Sequence, residues 1–352
     1  DAVTLIDYIA TVQWTDGYDV RTEMITALAP HAQERPAFAV FAPRAPRTEF
    51  ARYLPQETSS FSVSDGLNVQ ATYKFVLDTL QAVGGAGLLA KWADFQKQIG
   101  IDVERDIVAW LEGGLTTVTL AEQRGSVWLL KVTDEQRARE KVSAALEQLA
   151  GKVSELAARN PGIAVLAGFV PTTAPCAEDR LPGFEELQFP LSPQPLVWGV
   201  ADGHLIFGTS ADAVALCLAT ARGTHPSVRE NPRVMQAAIV PAGPFVSMSL
   251  TDHRNWSTEI AQVLGVCGMG LRMAGAAVPN EEARAVVGRI GSIVAKLGPV
   301  VRRINFYDST ATLTTFDGQH WRTQSVTHYV PPAERPTPEP GAAAAVRRSA
   351  AH

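Results

Sequence analysis

The clearest pattern of hydrophobic and polar positions lies in residues 100–149 and predicts a short helix, a hairpin and a long helix. Asp102 is placed to cap the short helix, whose apolar residues share one side and which should end at Gly113-Gly114. Residues 115–120 alternate as in a half-buried strand, and residues 127–132 are apolar almost throughout, as in a more central strand.

The long helix that follows has a clear apolar stripe. Thr133 and Gln136 have the spacing of a capping box at its start. From Ala138 onward, apolar residues return every three or four positions, so one face should pack on a core. Proline disfavours a helical residue before it, so the helix should end before Asn160-Pro161.

The pattern of apolar residues in the N-terminal part of the chain predicts mostly helices. Apolar residues recur three and four positions apart in residues 4–14 and 20–28, which favours two short helices separated by Asp16-Gly17. Residues 36–41 and 61–64 are strand candidates. Two further helices are expected within residues 69–80 and 88–99.

The C-terminal part predicts hairpins and helices after a long connection. Residues 161–195 contain seven prolines and show no lasting periodicity, so we expect a connection over the surface. Asp202-Gly203 and Asp317-Gly318 each separate two apolar runs, which is a strong hairpin signal. Helices are expected at 211–221, 256–275 and 281–297.

An internal similarity connects the two halves. Pro46-Arg47, Leu54-Pro55 and residues 61–64 have counterparts of similar order and spacing in Pro232-Arg233, Val240-Pro241 and residues 245–249. The predicted fold class is therefore α+β, with antiparallel sheets, helices packed on one face and two pseudo-repeated lobes. The predicted division is an N-terminal lobe (1–160), a Pro-rich connection (161–195), a C-terminal lobe (196–330) and a disordered Pro/Ala-rich tail (331–352).

Composition excludes some classes of function. The chain is 46% hydrophobic and 19% charged, which is typical of a globular protein. Its 31 basic and 36 acidic residues are mixed along the chain, so no nucleic-acid partner is expected. The uncharged run 260–271 stops at Arg272 and is too short to span a membrane. The chain begins at Asp1 without methionine, so either a targeting segment was removed or the sequence is trimmed.

Four sequence stretches resemble an uncharacterised family of bacterial extracytoplasmic proteins that carry a domain of unknown function. They are GIDVERDIVAWLEGG, SVWLLKVTDEQRAREKV, ADGHLIFGTSADAV and NPRVMQAAIVP. The resemblance covers most of residues 45–330 and leaves residues 1–40 outside it. It implies an α+β fold and export to the cell envelope, and it supplies no catalytic residues.

The search for metal and cofactor sites finds no convincing constellation. His320 and His328 share a predicted strand but would lie roughly 26 Å apart, too far to hold one ion. Asp252 beside His253 is better explained as a helix cap than as an acid/base dyad. The glycines at 84–87 lack the strand, turn and helix order of a dinucleotide loop. Neither a metal nor a cofactor is therefore predicted.

The serines, cysteines and tryptophans that could act as nucleophiles or ligand platforms are also better explained by structural roles. Ser210 and Ser292 have no histidine and acid at interpretable positions. The three cysteines allow one bridge at most and lack metal-ligand spacing; Cys217 fits a buried thiol on an apolar helix face, and the others are Cys176 and Cys267. Four tryptophans are expected in the core: Trp92, Trp110, Trp128 and Trp256.

The glycine-rich helix predicted at 256–275 leaves two interpretations open. The glycines are Gly265, Gly268, Gly270 and Gly275. Their small size can allow close packing against the next helix, through a stripe made of Ala283, Val286, Val287, Ile290, Ile293, Val294 and Leu297. Alternatively, the missing side chains can form a slot for an acyl chain.

Two functions follow from these observations. The first is a non-catalytic cell-envelope module that acts by binding a protein partner or as an assembly scaffold. The second is a carrier or sensor of an apolar ligand such as a lipid. An elongated apolar cavity would favour the carrier, whereas a filled core with an exposed apolar patch would favour the interaction module.

Overall fold

The fold is α+β and mostly antiparallel sheet. The computed structural model describes residues 5–43, 47–66, 68–159, 172–177, 179–189, 194–254, 256–276, 281–301 and 306–331. The strands are β1 (Ile6–Asp16), β2 (Asp19–Leu28), β3 (Thr58–Ser64), β4 (Leu111–Leu120), β5 (Ser126–Val132), β6 (Thr172–Pro175), β7 (Glu185–Gln188), β8 (Leu196–Ala201), β9 (His204–Gly208), β10 (Ser247–Asp252), β11 (Tyr307–Phe316) and β12 (His320–Tyr329). The helices are α1 (Phe38–Phe41), α2 (Val69–Ile99), α3 (Glu135–Arg159), α4 (Ala211–Ala221), α5 (Pro232–Ala237), α6 (Trp256–Ala276) and α7 (Glu281–Val301).

The described strands form one sheet of twelve, in the order β1-β2-β12-β11-β10-β3-β4-β5-β9-β8-β7-β6. β3 and β10 are antiparallel neighbours, with Phe61 opposite Leu250 and Val63 opposite Met248. The hairpin of β4 and β5 continues the sheet from β3, and β9 pairs with β5. Strands from both predicted lobes therefore alternate within one sheet.

The chain divides into two compact units. The first comprises Asp1–Val12, Thr22–Leu250 and Ala311–Ser325. The second comprises Gln13–Arg21, Thr251–Thr310 and Val326–His352. The predicted lobe boundaries differ from this division and stay a prediction, and the predicted tail beyond Pro331 lies outside the described residues.

The main core of the first unit lies between the sheet and α4. Buried residues from seven strands and from α4 contribute to it, among them Phe61, Val63, Val118, Leu120, Val127, Leu129, Val197, Ile206, Val214, Leu218, Met248, Leu250, Ala311 and Leu313. A second cluster joins Trp110, Val132, Trp198 and Leu205 to Ala138 of α3. Val197 and Trp198 are adjacent on β8 but belong to different clusters, so this end of the sheet is covered on both faces rather than on one.

Several predicted elements are confirmed. The alternating and apolar runs form β4 and β5, and the long helix is α3. Its predicted end before Asn160-Pro161 lies outside the described residues. The two helices predicted within residues 69–99 form α2, with a non-helical break at Gly85. Asp202 and Gly203 both have positive φ, as expected for the tight turn between β8 and β9.

The N-terminal helix prediction was wrong, because residues 6–16 and 19–28 form the strands β1 and β2. Spacings of three and four residues also occur in strands whose two faces both carry apolar side chains. The β-branched residues of this segment and the Asp16-Gly17 turn, where Gly17 has a φ of 63°, favour a hairpin. The strand predicted at residues 36–41 was also wrong, since Phe38–Phe41 is a helical turn.

Three local predictions need correction. Gly113-Gly114 does not end a helix but lies in β4, where the pairing with β5 shifts register. At α3, the carboxylate of Asp134 accepts from the backbone N–H of Arg137 at 2.9 Å, while Thr133 donates to the carbonyl of Trp110, so no capping box forms. The connection predicted as irregular contains β6 and β7, which pair with each other; residues 161–171, 178 and 190–193 lie outside the description.

The central position of β5 leads to a stability prediction. Leu129 is fully buried in the main core, so Leu129→Ala should lower the free energy of unfolding by about 2–5 kcal/mol through lost burial and the resulting cavity. Val83→Ala is the control, because that side chain is 80% exposed on α2. Urea unfolding monitored by circular dichroism measures both variants, and similar midpoints for the two would contradict this account of the core.

Candidate interaction surfaces

An exposed apolar edge strand is the most conspicuous surface feature of the first unit. β1 stands at one end of the sheet order, so its outer backbone N–H and C=O groups face away from the paired strand β2. Within residues 6–12 every residue is exposed, including Ile6 at 46%, Tyr8 at 50% and Val12 at 61%. Long apolar edges of this kind are normally covered or interrupted by charge, and here Asp7 is the one charged side chain.

Within residues 6–12, alternation along β1 places three large apolar side chains on one face and Ile9, which is 58% exposed, on the other. Successive side chains of a strand point to opposite faces, so Ile6, Tyr8 and Val12 share one of them. Sequence analysis missed this surface because it assigned the segment to a helix. The period-two recurrence of apolar residues, followed by the Asp-Gly turn, is the signal that could have revealed it.

A cleft of about 480 Å³ lies close to the start of β1. Its lining consists of Asp7, residues 28–34 and residues 318–320. The side-chain amide of Gln33 donates to the carbonyl of Gly318 across it. At its rim, the backbone N–H groups of Gln319 and His320 donate to Asp317 and lower the pKa of that carboxyl to about 2. The lining mixes apolar residues, such as Leu28 and Pro30, with polar and charged ones, so the cleft is not a predominantly apolar ligand site.

In the second unit, Gly268 lies at a close contact between α6 and α7. A Cβ at this position would be 2.7 Å from the carbonyl oxygen of Gly291 and 2.8 Å from the Cβ of Ala295. A Cβ at Gly265 or Gly270 would instead meet no atom within 4 Å. Gly275 belongs to the last turn of α6. Of the four glycines, the structure therefore places Gly268 against the neighbouring backbone, where α7 fills the space.

The stripe of α7 that was expected to pack on α6 is largely exposed. Gly291 and Gly298 are the buried residues of α7, and a Cβ at Gly298 would be 3.2 Å from the carbonyl oxygen of Ala261. The predicted packing residues Val286, Ile290, Ile293 and Leu297 are instead 44–60% exposed. Helical periodicity identified an apolar face correctly, but small residues make the contact with α6.

A buried tyrosine and a buried histidine form an enclosed polar pair. The Tyr53 hydroxyl lies 3.2 Å from Nδ1 of His204, and both donate to the carbonyl of Asp202, at 3.2 and 2.8 Å. Burial is the main reason that the pKa of His204 is lowered and that of Tyr53 is raised. The pair holds the positive-φ turn between β8 and β9, so its geometry indicates a structural role.

The histidines considered as metal or catalytic candidates have other partners. Nε2 of His253 lies 3.1 Å from Oγ1 of Thr310, and the carboxylate of Asp252 accepts from the guanidinium of Arg254. These contacts do not join Asp252 to His253 as an acid/base dyad. His320 pairs with Asp317 at 3.1 Å, and His328 pairs with Asp19 at 2.8 Å. Within the described residues, no group of three or more His, Cys, Asp or Glu side chains could hold a metal ion.

None of the three cysteines forms a disulfide, and the tryptophans differ in burial. Cys217 is buried on α4 as expected, and desolvation raises the pKa of its thiol. Trp110 lies in the second core cluster, and Trp92 stacks on Phe95 with ring centroids 5.7 Å apart. Trp128 is 37% exposed, contrary to its predicted core position. The side chain of Trp256 lies outside the description.

Comparisons with known proteins add no assignment. Neither protein-family models, nor curated proteins, nor solved structures give a match to this chain. The resemblance to an envelope family therefore stays a prediction. Among the helices that the structure describes, none has the length and apolarity needed to cross a membrane.

The α6 glycines allow a matched pair of substitutions. Gly265→Ala should stabilise the protein by up to about 1 kcal/mol, because alanine is the better helix former and its Cβ meets open space. Gly268→Ala should destabilise it, because the added Cβ would collide with the backbone of α7. Thermal unfolding of both variants tests the contact, and a shift in the same direction for the two would contradict it.

The lowered pKa of His204 predicts a pH dependence of stability. The unfolded chain binds a proton at His204 below its ordinary pKa of about 6.5, whereas the folded protein resists protonation. The free energy of unfolding contributed by this residue should therefore fall as the pH drops below about 6.5. His204→Gln should flatten the dependence measured by urea unfolding between about pH 7.5 and 5.5. His320→Gln, at a partly exposed histidine, serves as control, and an unchanged slope in the His204 variant would refute the prediction.

Proposed function

We propose that this protein is a non-catalytic module of the cell envelope that binds a protein partner by accepting an extended segment as an added strand along β1. The exposed apolar edge at residues 6–12 carries the proposal. Strand addition draws affinity from free backbone groups and specificity from alternate side chains. The residues of β1 offer both, because the edge lacks a described neighbour and Ile6, Tyr8 and Val12 project from one face.

The order of the elements and the order of the strands in the sheet fit an internal duplication, which we infer as part of this proposal. The elements β1, β2, β3, α2, β4 and β5 recur in kind as β8, β9, β10, α6 with α7, β11 and β12. In the sheet order, β3 and β10 are central neighbours. Outward from β3 come β4, β5, β9 and β8, and outward from β10 come their proposed equivalents β11, β12, β2 and β1. The first hairpin of each half would then pair with the second hairpin of the other half, so that β2 lies beside β12 and β9 lies beside β5. We infer that the two pseudo-repeated lobes are interleaved in this way.

The duplication makes β8 the counterpart of β1. β8 is not an edge, because β7 pairs with it antiparallel, with Glu186 opposite Val197 and Leu187 opposite Leu196. The chain itself thus supplies the strand that covers the equivalent position in the second half. In the first half, the corresponding position beside β1 has no described strand. The antiparallel pairing of β7 with β8 is therefore the precedent for how a partner segment would pair with β1.

The alternative carrier function has less support. A carrier needs an apolar cavity, whereas the cleft beside β1 has a mixed polar and apolar lining and the space at Gly268 is occupied by α7. The main core is filled by large side chains such as Phe245 and Leu129. The proposed location in the cell envelope rests on the sequence resemblance alone.

Selection from a library of displayed random peptides tests the proposed function. We expect enrichment of peptides with alternating apolar residues, bound with protection of the β1 backbone amides from hydrogen exchange. The triple variant Ile6→Lys, Tyr8→Lys and Val12→Lys should weaken binding by at least about tenfold, since charge on an edge strand opposes pairing. Its stability should change little because these side chains are exposed.

Val83→Lys is the matched control, because it places a lysine at another exposed apolar position. Its affinity for the selected peptides should equal that of the parent. Peptides that bind the triple variant as well as the parent would overturn the assignment of β1. Failure to enrich any alternating peptide would count against strand addition as the function.

A further inference from the structure

α7 carries a second apolar surface, which lies within the second unit and is separate from β1. Five aliphatic side chains, Val286, Ile290, Ile293, Leu297 and Val300, are each 44–60% exposed. Their spacings of four, three, four and three residues place them on one stripe of the helix. We refer to these five residues as the outer face of α7.

The outer face is not needed for the contact with α6. That contact uses Gly291 and Gly298, which meet Gly268 and Ala261 on the other side of α7. At 3.6 residues per turn, Gly291 lies two positions from Ile293 and therefore well around the helix from it. Five partly exposed aliphatic residues thus remain on a helix that is already anchored by its opposite side.

From Ala283 onward the charged residues beside the outer face are positive, whereas Glu281 and Glu282 are acidic residues in the first turn of α7. Arg289 and Lys296 are exposed, and each immediately precedes a residue of the outer face. Neither makes an ion pair with a described residue. The sequence from Ala283 to Tyr307 contains no aspartate or glutamate, although the whole chain has a formal charge of −5. Basic charge next to an apolar stripe complements a negatively charged, apolar partner.

We propose that the outer face of α7 docks on the surface of an anionic phospholipid bilayer, with the helix parallel to the membrane plane. The aliphatic side chains would enter the boundary between headgroups and acyl chains, and the two cations would meet headgroup phosphates. A helix of 21 residues has a length of roughly 31 Å, and it would lie flat along the surface without crossing it.

A second copy of the chain is the less favoured occupant. An antiparallel pairing of two outer faces places Arg289 and Lys296 of both copies along the same flank of the contact. Like charges at such flanking positions oppose association. Anionic headgroups neutralise the same charges, so charge complementarity favours the bilayer.

Vesicle flotation with the full chain tests the proposal. The parent should bind vesicles of phosphatidylcholine mixed with phosphatidylglycerol and bind pure phosphatidylcholine vesicles much more weakly, and added salt should reduce binding. Arg289→Gln with Lys296→Gln should weaken binding to the mixed vesicles roughly thirtyfold. Ile290→Ser with Ile293→Ser should weaken it by at least about tenfold, because buried aliphatic surface is lost.

Two controls on α2 separate this surface from general effects. Lys91→Gln with Lys97→Gln removes two exposed cations elsewhere, and Val83→Ser removes an exposed aliphatic side chain. Both should bind mixed vesicles like the parent. Circular dichroism checks folding, and the charge variant decides the test if the serine variant fails to fold.

Three results would overturn the proposal. These are equal binding to neutral and anionic vesicles, unchanged binding of the charge variant, and no binding to vesicles at all. If vesicles are not bound and sedimentation shows a dimer that Ile293→Ser dissociates, the outer face belongs to a second copy. Because the triple lysine variant of β1 should bind vesicles normally, this outcome is independent of the proposed strand addition.

Discussion

The antiparallel pairing of β3 with β10 is the interaction on which the rest of the sheet depends. It joins two segments that are distant in the chain, and it aligns Phe61 with Leu250 and Val63 with Met248 in the main core. Strands continue outward from this pair in both directions. Because such a non-local contact requires closure of a long loop before it stabilises anything, the local hairpins can form earlier than the pairing that unites them.

The sequence correctly predicted the elements whose apolar pattern fits either a helix or a strand but not both. The alternation in β4, the apolar run of β5 and the stripe of α3 each follow from one buried face. β1 was missed because its apolar residues occur on both faces, so helical spacings arise by coincidence. The same limitation affected α7, where an apolar stripe reveals a face but not which molecule covers it. The surfaces on β1 and α7 are both defined by the exposure of their apolar side chains. That exposure depends on the packing of the whole folded chain and cannot be read from the local sequence pattern.

Several polar groups that suggest chemistry from their residue type stabilise turns and helix ends instead. His204 and Tyr53 fix the turn before β9, and Asp317 accepts two backbone N–H groups in the turn before β12. Asp106 accepts from Arg105 and Lys141, which hold the pKa of that carboxyl well below its usual range. In each case a backbone group or an opposite charge is a partner of the polar side chain.

The two ends of the sheet differ in a way that limits self-association. β6, at the end opposite to β1 in the order of the described strands, has four described residues and finishes at Pro175, whose nitrogen cannot donate a hydrogen bond. An edge of that kind is a poor template, whereas β1 is long and apolar. If two molecules met through their β1 strands, the antiparallel pair would be closed by a two-fold axis, and the short β6 ends would terminate growth. The asymmetry of the edges therefore permits a dimer and opposes a fibre.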